Sequence, residues 1–333
     1  MSGVPTLEVR GLNLGFDLFE GRSHVLNDVA LEIRKGERVA LVGESGCGKS
    51  VFVRLVLGLL NQRNLHVDGS IRFDGQDLRT LSATAWREIR GRRISMIFQD
   101  PIAALNPVFT IGDQLSEVIK RGGTARGHRH ALEIARDALR LVAIEDPDRV
   151  LASYPFQLSG GMNQRVLITM ALVNRPELVL ADEPGTALDV TVQEQTLRLM
   201  RQLTQEVGAA LLLIAHNLGV VREFAERAYV MYAGTIVEEG TVEALFQDPK
   251  HPYTQALIAA VPRLTGGVLP KSIAGYVPDY TTPPPGCRFH PRCPHATEQC
   301  KSRPPLIELG PDRRVACVLY AEQQPENATM GHA

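Results

Sequence analysis

An α/β fold organised around an open, largely parallel sheet is predicted by three features of this chain of 333 residues. A glycine loop, Gly43-Glu44-Ser45-Gly46-Cys47-Gly48-Lys49-Ser50, joins a buried-strand pattern at Arg38–Val42 to an apolar helical pattern at Val51–Leu60. Two further continuous apolar runs, Leu178–Ala181 and Ala209–Ala215, have the length expected of strands covered on both faces. Each run ends in residues of chemical use: Asp182-Glu183 after the first and His216 after the second.

Taken in order, the chain begins with short β-type patterns at Leu7–Val9 and Val29–Ile33, followed by a turn at Lys35-Gly36-Glu37. After the glycine loop and its helix, Gly69–Asp77 reads as a hairpin. Met96-Ile97-Phe98-Gln99-Asp100-Pro101 is an apolar strand passing into a turn. From Ile111 to Leu158 the periodicity is helical, broken by a basic, glycine-containing loop at Arg121–Arg129. Ser159-Gly160-Gly161 then opens a helix through Val166 to Leu172, and strand-helix alternation resumes at Leu178. Beyond Gln247 prolines multiply and regular periodicity fades. The organisation expected is a two-lobed core with the helical lobe inserted, then a small irregular tail; no internal repeat is visible.

Composition narrows the function classes. Acidic and basic residues nearly cancel, at 37 and 36, leaving a formal net charge of -1, so binding nucleic acid through bulk positive charge is not expected. No stretch is apolar and long enough to span a bilayer, and Met1–Glu8 lacks the pattern of a signal peptide, which points to a cytosolic protein. Of five cysteines, Cys47 lies in the glycine loop and Cys287, Cys293, Cys300 and Cys317 cluster in the tail. In a reducing compartment such a cluster reads as a metal site before it reads as disulfides.

The glycine loop matches G-x-x-x-x-G-K-[ST] in the right strand-to-helix context. Its glycines let backbone N–H groups converge on phosphate oxygens, and the helix N-terminus adds favourable dipole. Lys49 is suited to the β- and γ-phosphates and the Ser50 hydroxyl to Mg²⁺. The bland reading is a glycine-rich turn that happens to fit. Ligands of open parallel sheets bind beyond the carboxyl ends of the strands, where Asp182, Glu183 and His216 all fall. Asp182 suits Mg²⁺, Glu183 suits activation of an attacking water, and His216 suits contact with a γ-phosphate. Against these stand a helix cap for the acidic pair and a structural role for a lone histidine. Gln99 could reach Mg²⁺ or the attacking water. Ser159 with Gly160 and Gly161 supplies a hydroxyl and free N–H groups at a second helix start, a cap that can also bind an anion.

With the other motifs on the same chain, Leu158-Ser159-Gly160-Gly161-Met162-Asn163-Gln164-Arg165 resembles the signature sequence of the ATP-binding-cassette (ABC) ATPases. The resemblance covers about residues 7–245. It implies a P-loop NTPase fold of the ABC nucleotide-binding type: a RecA-like core, an antiparallel β subdomain and an inserted helical subdomain. It implies ATP and Mg²⁺ as ligands, with two ATPs sandwiched between two domains. Carried over residue by residue, Gly43 to Ser50 form the phosphate loop and Gln99 the glutamine loop. Ser50, Gln99 and Asp182 are the implied Mg²⁺ ligands, Glu183 the catalytic carboxylate and His216 the switch histidine. Ser159, Gly160, Gly161 and Gln164 form the signature that acts in trans, and Ala187-Leu188-Asp189 the loop that communicates across the dimer. Phe16 is the implied adenine-stacking aromatic, with a plain core phenylalanine as its alternative. Three positions depart from the family pattern: Gly185 for Thr or Ser, Asn163 for Arg or Lys, and Asn217 for Asp.

The tail narrows the resemblance. His251-Pro252-Tyr253-Thr254 and Pro283-Pro284-Pro285-Gly286-Cys287-Arg288-Phe289-His290-Pro291-Arg292-Cys293-Pro294 resemble the extension of ATPases in the dipeptide, oligopeptide and nickel importer branch. The domains expected are therefore an ABC ATPase domain at 1–247, with its helical subdomain about 100–165, a cysteine-containing extension at 248–320, and a disordered tail at 321–333. The spacing Cys287-x5-Cys293-x6-Cys300-x16-Cys317 lacks the C-x2-C knuckles of common zinc sites, and its four thiols suit zinc, an iron–sulfur cluster or a metal-free thiol group. The resemblance implies a [4Fe–4S] cluster, with Zn²⁺ as the alternative.

The resemblance further implies a peripheral subunit on the cytoplasmic face of the cell membrane that powers import of di- and oligopeptides. Its implied partners are a second ABC ATPase subunit of a different chain, two membrane-spanning permease subunits and, indirectly, an extracytoplasmic substrate-binding protein, with no nucleic acid. Nickel or oligosaccharide import is the alternative within transport. A soluble ABC ATPase acting on DNA or ribosomes would carry long coiled-coil insertions or two cassettes, and a non-hydrolysing regulatory cassette would not keep Glu183 and His216.

Overall fold

The computed structural model describes residues 3–60, 63–185, 189–216, 218–261 and 273–323. Two sheets organise it. β1 (Leu7–Leu18), β2 (Gly21–Ile33), β4 (Leu65–Phe73) and β5 (Gln76–Asp77) form an antiparallel sheet in the order β2-β1-β4-β5. The larger sheet contains β3 (Arg38–Val42), β6 (Ile94–Ile97), β7 (Leu178–Asp182), β8 (Ala210–Ala215), β9 (Arg227–Tyr232) and β10 (Thr235–Thr241). To these the tail adds β11 (Leu306–Gly310) and β12 (Arg313–Ala316), giving the order β11-β12-β10-β9-β3-β8-β7-β6. The run from β9 to β6 is parallel, and β10, β12 and β11 are antiparallel additions at one edge.

The parallel strands are apolar throughout because both faces are covered, and the two-residue strand period sorts their side chains into two clusters. Ala40, Val42, Val179, Ala181, Leu211 and Leu213 pack toward one side, among the helical lobe. Val39, Leu41, Leu178, Leu180, Leu212 and Ile214 pack toward the other, with Phe52 and Val53 of α1 (Lys49–Val56) and the antiparallel sheet. Each fully buried Leu or Ile contributes roughly 1.5–3 kcal/mol. The first two strands are longer than the period-two pattern predicts. Register shifts at Val9/Leu12, Leu12/Leu14 and Leu14/Gly15 break the alternation while the pairing continues.

The helices after the glycine-loop helix are α2 (Ala83–Ile89), α3 (Pro101–Ala104), α4 (Ile111–Gly122), α5 (His128–Leu141), α6 (Pro147–Ala152) and α7 (Gly160–Leu172). Their ends follow from local chemistry. Thr110 caps α4 by accepting the Asp113 N–H, Gly123 ends it in the left-handed region, and Asp146 with Pro147 starts α6. Ile111, Leu115 and Ile119 give α4 one buried stripe against Ala131, Ala135 and Leu139 of α5. After β7 come α8 (Val190–Val207), α9 (Leu218–Phe224), α10 (Val242–Gln247) and α11 (Pro252–Ala259). Among the described residues no helix is long and apolar enough to cross a membrane.

The tail is tied into the core. Phe289 is buried in the large cluster, its ring 5.1 Å from Tyr232 and 5.3 Å from Tyr253 between centroids. His251 is fully enclosed beside it, and burial pushes its imidazole down to about 3. The neutral ring accepts the Tyr253 N–H at Nδ1, 3.0 Å away, and so caps α11. Glu238 of β10, with no exposed surface, accepts the N–H groups of Lys250 and His251 at 2.9 and 2.8 Å and faces Arg313 of β12. The adjacent Glu239 pairs with Arg314.

Candidate active site

β3 leads into the glycine loop, where backbone geometry decides the residue types. Gly43 has φ 159°, and a Cβ there would lie 2.1 Å from the Met231 carbonyl oxygen. Gly48, at φ 106°, caps α1. Ser45 and Gly46 form the exposed tip, whereas the Cys47 side chain is fully buried among apolar groups, which pushes its thiol up despite the nearby Lys49. Cys47 therefore offers the loop its backbone only. The Lys49 ammonium is folded back, donating to the carbonyls of Gly43 at 2.7 Å and Glu44 at 2.9 Å.

The Ser50 hydroxyl donates to Asp182 Oδ1 at 3.0 Å, so the loop and the end of β7 meet. Burial pushes the Asp182 carboxyl up, partly offset by that hydrogen bond. A divalent cation between these two oxygens would favour the ionised carboxylate that burial disfavours. The oxygen donors thus fit Mg²⁺.

Glu183 stands next to this pair in the left-handed region at φ 45°, with its N–H bonded to the Ile214 carbonyl at 3.0 Å. A non-glycine residue held there is uncommon and marks a position fixed by its surroundings. Its Oε2 accepts from Gln99 Nε2 at 3.3 Å and lies 2.9 Å from His216 Nδ1. Residues following β6, β7 and β8 are thereby gathered at one sheet edge. The structure brings Gln99 to Glu183 and not to the Ser50–Asp182 pair where the sequence reading placed it as a Mg²⁺ ligand. A carboxylate joined to an imidazole beside a phosphate loop has the parts needed to orient a water and accept its proton.

The signature lies elsewhere. Ser159 caps α7 by accepting the Met162 N–H at 3.3 Å. Together with Gly160, Gly161, Arg149, Arg165 and Asp189 it lines an open concavity of about 1070 Å³ that includes no residue of the glycine loop, nor Asp182, Glu183 or His216. Gln164 is different from its neighbours: it is fully buried, and its amide has no hydrogen-bond partner among the described residues, so it does not face that concavity. Phe16 is half-buried on β1 against the smaller apolar cluster, in register with Ser23 and Leu65.

A family model described as ABC transporter matches residues 26–186, and one described as Oligopeptide/dipeptide transporter, C-terminal region matches residues 237–300. A putative peptide import ATP-binding protein of Brucella abortus is 44% identical over 316 residues, covering 94% of this chain and 95% of its own. The oligopeptide transport ATP-binding protein AppD of Bacillus subtilis is 42% identical over 325 residues, covering 97% and 99%. The chain belongs to the ABC transporter ATP-binding subunits. Among solved structures, the dimeric ATP-binding cassette MJ0796 bound to ADP and Pi matches with TM-score 0.62 and 28% identity over 71% of this chain and 98% of its own. CbiO1 of Clostridium perfringens, at 24% identity and TM-score 0.61 over 73% and 91%, shares the fold.

As an ABC subunit the chain is a transport-coupled ATPase with the cassette fold its sequence implied. Two departures from the family pattern now have physical accounts. Gly185 has φ 88°, where a side chain would be strained and its Cβ would lie 3.2 Å from Gln193 Cγ. Asn163 points inward and donates to the Pro155 carbonyl at 3.0 Å, tying the turn before the signature to α7. Asn217, Ala187 and Leu188 lie outside the described residues.

Cys287, Cys293, Cys300 and Cys317 are free thiols that line one cavity of about 20 Å³, room for roughly one water. Burial pushes the Cys287 thiol up to about 11 and also raises Cys293 and Cys317. As arranged, no group of three or more His, Cys, Asp or Glu among the described residues is placed to hold a metal ion. The donor set is soft, of the kind that zinc and iron–sulfur clusters take.

Three residues that brace the glycine loop from outside it were missed by sequence reading. Tyr253, Tyr280 and Arg292 all reach the glycine loop from the tail. Arg292 and Glu44 are 248 residues apart, and no local pattern links them.

Proposed function

We propose that this chain hydrolyses ATP to power import of di- and oligopeptides, acting peripherally at the cytoplasmic face of the membrane. The observation that carries the reading is Glu183 Oε2, shared by Gln99 and His216 beside the Ser50–Asp182 pair. In this mechanism Lys49 leaves the loop carbonyls for the β- and γ-phosphate oxygens. Ser50 and Asp182 would hold Mg²⁺, which would neutralise developing phosphate charge. Glu183 accepts the proton of the attacking water, and His216 orients the carboxylate and contacts the γ-phosphate. Ser159 and Gly161 complete the ATP site of a second ATP-binding subunit, a role favoured by their place on a concavity apart from the glycine loop. Asp189 borders the same concavity, and Phe16 stacks on adenine.

Exposed apolar side chains on and beside the helical lobe, Phe98, Ile102, Val108, Phe109 and Phe156, support docking of a permease subunit there. The peptide substrate rests on the match of residues 237–300 and on the relatives' names. Reconstituted in vesicles with its permease subunits and second ATPase, the chain is expected to hydrolyse ATP several-fold faster when a peptide-loaded binding protein is added. Stimulation by a nickel- or oligosaccharide-loaded binding protein alone would overturn the peptide assignment.

The [4Fe–4S] cluster in the extension is a separate proposal. Four uncrosslinked thiols around one cavity support it, and it requires them to draw together around the cluster. Anaerobically purified protein is expected to be brown with about four irons per chain, and Cys293→Ser to bleach it while Cys47→Ser does not. Colourless protein with one zinc or no metal would rule the cluster out.

A further inference from the structure

We infer that the C-terminal extension positions the phosphate loop for nucleotide, through Arg292, Tyr253 and Tyr280. Arg292 lies in a short 3₁₀ turn, His290–Arg292, and is almost wholly enclosed. Its guanidinium grips Glu44 with two hydrogen bonds, Nη1 to Oε2 at 2.8 Å and Nη2 to Oε1 at 3.1 Å. The fork is held from behind, since the same group donates to the carbonyls of Ala274 at 2.7 Å and Ile273 at 3.2 Å and to the Tyr232 hydroxyl at 3.2 Å. Tyr253, fully buried, accepts the Glu44 N–H at its hydroxyl, 2.8 Å away. Tyr280 donates its hydroxyl proton to the Gly46 carbonyl at 2.7 Å, and its own carbonyl accepts the His24 N–H at 2.7 Å.

These contacts fall on the segment whose backbone must be arranged for phosphate. Glu44 is held at both its side chain and its N–H, and Gly46 at its carbonyl, while Lys49 is bonded to the carbonyls of Gly43 and Glu44. A glycine-rich loop left free would lose its conformational freedom on binding nucleotide and weaken affinity by that cost. Fixing the loop during folding moves the cost out of the binding step. None of the three residues needs to touch ATP; they act through Glu44 and Gly46. The inference rests on the ATPase reading above and adds to it a role for the extension.

The test uses the full chain for equilibrium binding of a fluorescent ATP analogue, and the assembled transporter for kinetics. Removing one charge-assisted contact by Arg292→Gln, or one hydroxyl by Tyr280→Phe, is expected to weaken nucleotide binding and raise KM for ATP about tenfold. kcat should stay within about twofold, because neither residue acts on the transition state. Arg292→Lys should recover part of the affinity, and Glu44→Arg combined with Arg292→Glu should bind better than either single variant. Unchanged affinity with only a lower Tm would overturn the inference, leaving the contacts purely structural. If Arg292→Gln does not fold, Tyr280→Phe alone decides between these results. Failure of the wild type itself to bind the analogue, with Lys49→Ala as the non-binding reference, would instead overturn the ATPase reading.

Discussion

Glu183→Gln is expected to lower ATP turnover in the assembled transporter by about 10²- to 10⁴-fold while leaving nucleotide affinity intact. The amide keeps the size of the side chain and can still meet Gln99 and His216, which lie 3.3 and 2.9 Å from Oε2. It cannot take up a proton. Asp182 and Ser50 are untouched, so the phosphates and their cation are held as before. The ATP-bound dimer should consequently outlive that of the wild type, which size-exclusion chromatography in the presence of ATP measures directly. Near-normal hydrolysis per site would remove Glu183 from the mechanism and leave its hydrogen bonds as a structural link between β7 and β8.

Ser159→Arg carries the second large effect, with its signature in where the loss appears. Ser159 is exposed on a concavity separate from its own glycine loop, so a bulky cation there should obstruct a second subunit and nothing in the first. Turnover in the assembled transporter should fall on the order of 10²-fold or more, the scale of losing a positioned donor to the reacting phosphate. Binding of ATP to the separate chain should be unchanged. Loss of the α7 cap costs about 1 kcal/mol, too little to unfold a cassette of this size and readable as a small drop in Tm. Equal loss of binding in the separate chain would place Ser159 in its own nucleotide site.

The parts legible in sequence were those with a strong local physical cause. Arg38–Val42 and Leu178–Ala181 read as strands because both faces are buried, and their polar ends fall at one sheet edge because parallel strands share a direction. The inserted lobe was readable from stripes such as Ile111, Leu115 and Ile119. Orientation was not. Gln164 and Ser159 belong to one motif, yet helical geometry turns the first into the core and leaves the second exposed. Gln99 was left between the cation and the attacking water because sequence says only that it ends a strand; which oxygen it meets depends on how β6 and β7 pair. The tail hairpin was invisible because Leu306–Gly310 and Arg313–Ala316 are short and carry charged residues, and what makes them strands is a partner, β10, some seventy residues earlier.

That last pairing limits how the protein can be cut down. A boundary after Gln247 looks natural in sequence, since the cassette motifs all precede it. In space it would strip a neighbour from β10 and bare a row of backbone N–H and C=O groups, an invitation to intermolecular strand addition. It would also take the Lys250 and His251 amides and Arg313 away from Glu238, and open to water a carboxylate that the whole chain keeps enclosed. Glu239, already pushed up by burial, would lose Arg314 beside it. A minimal cassette made from this chain would thus start life with a sticky margin and two acids parted from their arginines, and a workable one would need that margin protected by lysine or proline.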